Sequence, residues 1–346
     1  MFKKIFGVLG CKGTTLDFIL ASLRSKEFSV DHVFSYLPSE TEKSKISNFR
    51  ADEIIKFCEK HNIPTHLMKT YSMKDAADQM AIKQCHLDGL FVIGWERILP
   101  SEVLDTLKCG AFGMHGSAFG LPRGRGRSPL NWSLIQGHKI FTTSLFQYSE
   151  GIDNGNIVAS RSFEISQFDD INSLHDKNRI SMQRIIEENF DLISNPDFTG
   201  VSQPNKNVSF YPKRQPSDGE VDWHRSASQI HDFVRALKSP YPGAWTRLGG
   251  HSVAIEDGIP FGASFSDTQA KPGTILDVSI SRNRVLVQAG IGTYSFMGQV
   301  NKSEKKESLS KMVKVGTMLK SADWASQLEL IRERYPGDIS PEAYEV

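Results

Sequence analysis

The sequence predicts an α/β chain: a parallel-rich sheet with helices on both faces, followed by a smaller all-β domain. Three observations carry this. Short apolar runs alternate with helical patterns through the first half. Residues 195–216 are rich in Pro, Asn and Ser, the composition of a linker. From Trp245 onward the pattern changes to short alternating runs split by Gly, Pro and Asp, as in a small β-barrel. The expected division is a first domain over 1–194, a linker over 195–222, and a second domain over 223–346 holding a helix, the barrel and a terminal helix.

Ile5 to Leu9 reads as a buried strand. Gly10 and Gly13 mark a tight strand-to-helix turn and do not make a dinucleotide fingerprint. Thr14 or Thr15 is expected to cap a helix with Leu16, Ile19, Leu20 and Leu23 on one face. Strands follow over Val30–Tyr36, Thr65–Met68, Leu90–Trp95 and Ala111–His115, with a helix over Asp52–Lys60 that turns Ile54, Phe57 and Cys58 inward. Ser128 and Pro129 open a helix, through an N-cap hydroxyl and a first-turn proline, that runs to Gln136 before Gly137. Phe141–Tyr148 and Asn156–Ile165 are two further strands, and a long helix spans Ile171–Ile193. In the second domain Ala227, Ile230, Phe233, Val234 and Leu237 share a helix face. Strands are expected over His251–Glu256, Gly273–Val278, Arg284–Ala289 and Thr293–Val300, and a helix over Ser321–Tyr335.

Lys plus Arg number 41 against 40 Asp plus Glu, a net charge of +1, which argues against a surface built to grip nucleic acid. The four cysteines, Cys11, Cys58, Cys85 and Cys109, show no CxxC pair and no metal-like pattern with histidine, so they read as reduced thiols of a cytoplasmic protein without a metal. The apolar run after Lys3 and Lys4 is too short for a signal peptide, and no stretch approaches a membrane span.

The informative string is Gly113-Met114-His115-Gly116-Ser117, then Leu121-Pro122-Arg123-Gly124-Arg125-Gly126-Arg127-Ser128-Pro129, then Glu150-Gly151-Ile152-Asp153-Asn154-Gly155. It places His115 at a strand end and Asp153 in a Gly-flanked turn. Parallel sheets bind ligands beyond their strand carboxyl ends, where Trp95–Pro100 also falls. Alone, a strand-end His such as His115 is more often a structural hydrogen-bonder than a catalyst, and Asp153 alone is ordinary turn chemistry. Together they can move a proton during acyl transfer: His titrates near working pH, and Asp orients the imidazole.

This ordered string resembles the signature of the formyltransferases that use N10-formyltetrahydrofolate. That family includes glycinamide ribonucleotide transformylase, methionyl-tRNA formyltransferase and the amino-sugar N-formyltransferases. Asp222-Trp223 with Ser226-Ala227, and Arg235-Ala236 with Tyr241-Pro242-Gly243-Ala244, resemble the start of its C-terminal domain. The resemblance implies a Rossmann-like formyltransferase domain and an OB-like barrel. It implies His115 and Asp153 as catalytic, with folate held at Trp95, Glu96, Arg97, Ile98 and Leu99 and in the loop of Gly151 and Ile152. Trp95 also reads as a core aromatic. The family's third catalytic position, an Asn whose amide donates to the developing oxyanion, falls here on Gly113, and the segment after Ser117 carries two extra residues. Losing such a donor costs about 10²–10³ in rate. Ser117, Asn131 or a backbone N–H of the 115–118 loop is expected to replace it.

The acceptor is expected to be an amino sugar, nucleotide-linked, as the resemblance of Arg125–Trp132 to the nucleotide-amino-sugar enzymes implies, with a place in surface polysaccharide biosynthesis. Arg123, Arg125 and Arg127 beside a helix start suit a phosphate, and Lys213 and Arg214 could reach a diphosphate, though exposed basic loops read the same way. The alternatives are methionyl-tRNA formyltransferase, whose basic insertion is here the mixed-charge Leu37–Lys45, and a catalytically altered folate or nucleotide-sugar binding protein. The partners expected are small molecules, with no membrane and no nucleic acid; a homodimer is compatible with the sequence.

Overall fold

The computed structural model describes residues 3–39, 42, 46, 48–301, 306–334 and 344. The chain forms two compact units. One comprises Met1–Arg125, Ile140–Phe163 and Asp176–Ser209; the other comprises Gly126–Lys139, Glu164–His175 and Phe210–Val346.

In the first unit, β1 (Phe6–Leu9), β2 (His32–Tyr36), β3 (Thr65–Met68), β4 (Gly89–Val92) and β5 (Gly110–Ser117) are joined through α1 (Gly13–Arg24), α2 (Ala51–Lys60), α3 (Ala76–Gln84) and α4 (Ser101–Leu104). After the short β6 (Arg125–Gly126), β7 (Ile140–Gln147) and β8 (Ile157–Glu164) complete a seven-stranded sheet in the order β3-β2-β1-β4-β5-β7-β8. The pairs β3–β2, β2–β1, β1–β4 and β4–β5 are parallel, and β5–β7 is antiparallel. Strands β1 and β4 are fully apolar because helices cover both sheet faces. One face packs Phe18, Phe28, Phe91 and Phe112 against Ile185 and Ile186; the other packs Leu9, Phe34, Leu90 and Trp95. Strand order turns back between β1 and β4, so a crevice opens at their carboxyl ends. There Gly10 is required by space: a Cβ would sit 1.9 Å from the Ile93 carbonyl oxygen.

The expected strands and helices of this unit form, with shifted ends. α1 is capped at Lys12, not at a threonine: Thr15 lies inside the first turn, where its hydroxyl accepts from Lys12 N at 3.2 Å and donates to the Ile93 carbonyl at 2.6 Å. α3 and α4 were not expected; α3 opens on Asp75, whose carboxylate accepts from Ala77 N.

The second unit contains α5 (Pro129–Ile135), β9 (Phe210–Tyr211), α7 (Ala227–Ala236) and an antiparallel sheet. The long α6 (Ile171–Ile193) begins in this unit and continues in the first. Ser128 precedes α5 in a left-handed conformation, φ 56°, and its hydroxyl makes no capping bond, so proline alone starts that helix. The sheet runs β10 (Trp245–Leu248), β11 (His251–Pro260), β14 (Thr293–Asn301), β13 (Arg284–Gln288), β12 (Ile275–Ser279), with β15 (Lys306–Ser308) on β14. A register shift between Glu256 and Ile259 bends β11 along β14. α8 (Trp324–Glu333) follows; Tyr335, expected at its end, lies outside the described residues.

Candidate active site

β5 delivers His115 two residues past the point where Gly113 pairs with Val92 at the end of β4. Its Nδ1 lies 3.2 Å from Asp153 Oδ2, and its Nε2 lies 2.8 Å from the Gly124 carbonyl oxygen. Each ring nitrogen thus faces one hydrogen-bond acceptor, the Asp153 carboxylate on one side and the Gly124 carbonyl on the other. Asp153 sits at φ 47° in its turn, beside Gly151 at φ 109°. Gln203, which sequence reasoning missed, fixes this turn. Its amide nitrogen donates to the Asp153 and Gly155 carbonyls, both at 2.8 Å, and its oxygen accepts from Arg125 Nε and Nη2 at 3.2 and 2.6 Å.

Arg125 is therefore not displayed to solvent: it is 9% exposed and braces the turn that carries Asp153. Burial pulls its guanidinium below the usual arginine value, and the Asp153 charge partly restores it. Arg123 lies over the Phe119 ring at 3.7 Å. Ser117 is fully buried and donates to the Arg123 carbonyl at 2.7 Å, so its proton holds the loop. His115, Gly116 and Ser117 are strand residues paired with Ser144, Thr143 and Thr142, where a loop had been expected.

Gly113 faces a specific neighbour. A Cβ there would lie 2.2 Å from Tyr148 Cε2. Tyr148 donates its N–H to the Ala111 carbonyl at 2.7 Å, which places it opposite Ala111 and diagonal to Gly113, on the face that also carries His115. Its ring stacks on Phe146 at 5.3 Å, while its hydroxyl makes no hydrogen bond among the described residues. Burial, then the Asp153 charge, push the phenol well above its ordinary value, so it keeps its proton.

In the expected folate segment, Trp95 and Leu99 are buried and Ile98 is exposed. Tyr71 meets Trp95 edge-on at 4.5 Å, and Trp95 Nε1 is buried without a partner among the described residues. Glu96 accepts from Lys12 Nζ; its N–H donates to the Tyr71 hydroxyl at 3.1 Å. Arg97 lies over the Tyr71 ring at 4.7 Å. Ile152, like Ile98, is exposed.

The remaining expected residues belong to the second unit. Asn131 is buried, and its amide donates to the Ala236 carbonyl at 2.7 Å. Arg127 donates its N–H to the Tyr211 carbonyl at 2.9 Å, and Lys213 is exposed. The Arg214 head group is enclosed between Trp132 and Phe233, and burial pulls it down to about 10 despite Asp218. It is a core cation and not an outward diphosphate ligand.

One expectation about the cysteines is corrected. Cys85 does meet histidines: its Sγ lies 3.4 Å from His66 Nε2, which is 3.1 Å from His32 Nδ1. The three come from separate elements, so no local spacing announces them.

An open parallel-rich sheet thus carries an Asp-paired His at its carboxyl edge, the place where such sheets bind ligands, and this arrangement is able to move a proton. The family is shown by comparison: residues 3–188 match the formyl transferase family and residues 213–314 its C-terminal domain, so the chain belongs to the formyl transferases. Over 219 residues it is 32% identical to the bifunctional polymyxin resistance protein ArnA of Wigglesworthia glossinidia brevipalpis, which is 63% of this chain but 32% of that protein. HypX from Aquifex aeolicus, solved with tetrahydrofolic acid, shares the fold at TM-score 0.61 and 18% identity, over 89% of this chain and 46% of HypX. WlaRD, a sugar 3N-formyltransferase solved with dTDP and 5-N-formyl-THF, does so at 0.58 and 15%, over 88% and 100%. The chain thus spans about a third of ArnA and under half of HypX. Among the described residues no helix is long and apolar enough to cross a membrane.

Proposed function

We propose that this chain transfers a formyl group from N10-formyltetrahydrofolate to the primary amine of an amino sugar, nucleotide-linked. The observation that carries the reading is the His115 Nδ1–Asp153 Oδ2 pair, 3.2 Å apart, at the carboxyl edge of a formyl transferase sheet. The residues present suit the folate. Ile98 and Ile152 offer exposed apolar surface, and Trp95 Nε1 is a buried donor with no partner among the described residues. The bound folate supplies the formyl carbon.

His115 takes a proton from the attacking amine through Nε2, the nitrogen now facing the Gly124 carbonyl, and Asp153 steadies the resulting imidazolium. Tyr148 is the best-supported replacement for the family Asn. It occupies the space above Gly113, retains its phenolic proton, and has a donor not committed elsewhere among the described residues. Ser117 spends its single donor on the Arg123 carbonyl, and Asn131 is buried in the second unit, where its amide donates to the Ala236 carbonyl.

A sugar acceptor is supported by the fold shared with the sugar 3N-formyltransferase WlaRD and by the near-balanced charge, which suits a tRNA poorly. Arg123, in the same unit as His115 and Asp153, is the cation proposed to meet the acceptor's phosphates. The test is incubation with N10-formyltetrahydrofolate and a panel of amino-sugar nucleotides, with His115→Ala as control. The product should gain the mass of one CO unit, and the variant should form none. Folate binding without any product would favour the reading as a binding protein, and formylation of methionyl-tRNA alone would replace the acceptor.

A further inference from the structure

At the amino side of the first unit's sheet, away from the strand ends that carry His115, three side chains converge. His32 opens β2, His66 is the second residue of β3, and Cys85 caps the carboxyl end of α3. Their ligand atoms, Nδ1, Nε2 and Sγ, all lie within 4.8 Å of one another.

A tetrahedral zinc with the usual bond lengths, about 2.05 Å to nitrogen and 2.3 Å to sulfur, sets its ligands about 3.3 Å (N to N) and about 3.6 Å (N to S) apart. The observed 3.1 Å from His32 Nδ1 to His66 Nε2 and 3.4 Å from Cys85 Sγ to His66 Nε2 are each within about 0.2 Å of that. Neither facing imidazole nitrogen has a carboxylate or carbonyl partner among the described residues. Among the described residues, His66 Nε2 has only the two other ligand atoms as hydrogen-bond partners.

The surroundings favour an ion as well. His66 is held flat against Phe34, ring centroids 4.8 Å apart, which fixes its orientation. Cys85 stands at the carboxyl end of α3, the partially negative end of a helix dipole. Without an ion its thiol approaches the Ala81 carbonyl at 3.3 Å, a contact a thiolate would give up. Imidazole alone would admit nickel, copper or iron, and thiolate alone would admit copper(I). Zinc is at home with both.

We propose that His32, His66 and Cys85 form a zinc-class metal site, with a solvent molecule as fourth ligand, that fastens β2, β3 and the end of α3 together. The site is independent of formyl transfer.

The experiment is a cobalt(II) titration of the untagged, metal-free protein, followed by zinc displacement. The expected result is a thiolate-to-cobalt charge-transfer band that saturates at a single ion per chain and is bleached by zinc, with a zinc-dependent rise in Tm. Cys85→Ser should abolish the band and weaken zinc by more than about 100-fold, beyond the effect of an outer-shell change. His66→Gln should weaken it similarly while circular dichroism shows both variants folded. Absence of a band in the parent protein, or a band that persists in Cys85→Ser, overturns the proposal.

Discussion

The ring of Tyr148 occupies the space that a side chain on Gly113 would need: a Cβ there would stand 2.2 Å from Cε2. The glycine and the tyrosine are therefore one feature, a small residue on β5 matched to a large one just past β7. Where the family pattern has an Asn amide, this chain puts a phenol across the sheet. Tyr148→Phe keeps the ring and removes only the O–H. Steady-state formyl transfer should fall about 10²-fold in kcat with folate affinity unchanged, as for loss of one oxyanion donor. An unchanged kcat would mean that Tyr148 only fills space.

The same pairing predicts that Gly113→Asn alone does not restore the family site. The new side chain collides with the ring, and overpacking of this kind costs about 1–3 kcal/mol, readable by urea denaturation. Adding Tyr148→Ala opens the room. The double variant should be more stable than Gly113→Asn and more active than either single change. Simple additivity would show that the two positions do not share one volume.

How legible was this in the sequence? The fully buried strands were plain, because β1 and β4 are unbroken apolar runs bounded by turns. His115 and Asp153 were legible through their ordered motif. α3 was not: its apolar positions, Ala76, Ala77, Met80, Ala81 and Ile82, include three alanines and give only weak one-sidedness. The αL conformation of Ser128 was hidden because a Ser before a Pro normally reads as a helix cap. Tyr148, Gln203 and the His32–His66–Cys85 cluster were invisible for a common reason. Each acts on residues brought close only by folding, and neither periodicity nor spacing encodes a cross-strand collision or a contact 50 residues along the chain, as between Gln203 and Asp153.

Arg125 offers a test of bracing against binding. Its guanidinium meets Gln203, and Gln203 holds the Asp153 turn. Arg125→Ala should therefore lower kcat about 10-fold or more by loosening the Asp153–His115 pair, since small misplacements are costly in rate. KM for the proposed acceptor should move little. Gln203→Ala should reproduce the pattern. A rise confined to the KM of phosphorylated acceptors would instead make Arg125 a phosphate ligand.

Stability in acid should depend on Asp88. Burial alone would raise this carboxyl, but the Ile5 N–H at 2.9 Å, Lys108 at 3.1 Å and Lys4 at 3.9 Å outweigh it and hold it below the usual carboxylate value. A group held lower in the folded than in the unfolded chain stabilises the fold fully above its unfolded value, about pH 4, and loses that contribution as pH falls through the folded one. The carboxylate also ties the start of β1 to the entry of β4, because Asp88 N donates to the Ile5 carbonyl at 2.8 Å in return. Asp88→Asn keeps the shape and removes the charge. Urea denaturation at pH 7 should show a loss of about 1–3 kcal/mol, the scale of a buried hydrogen bond to a charged group. The gap between variant and parent should close as pH drops below about 4. A gap constant with pH would mean that the ionised form contributes nothing, and that the amide costs stability through geometry alone.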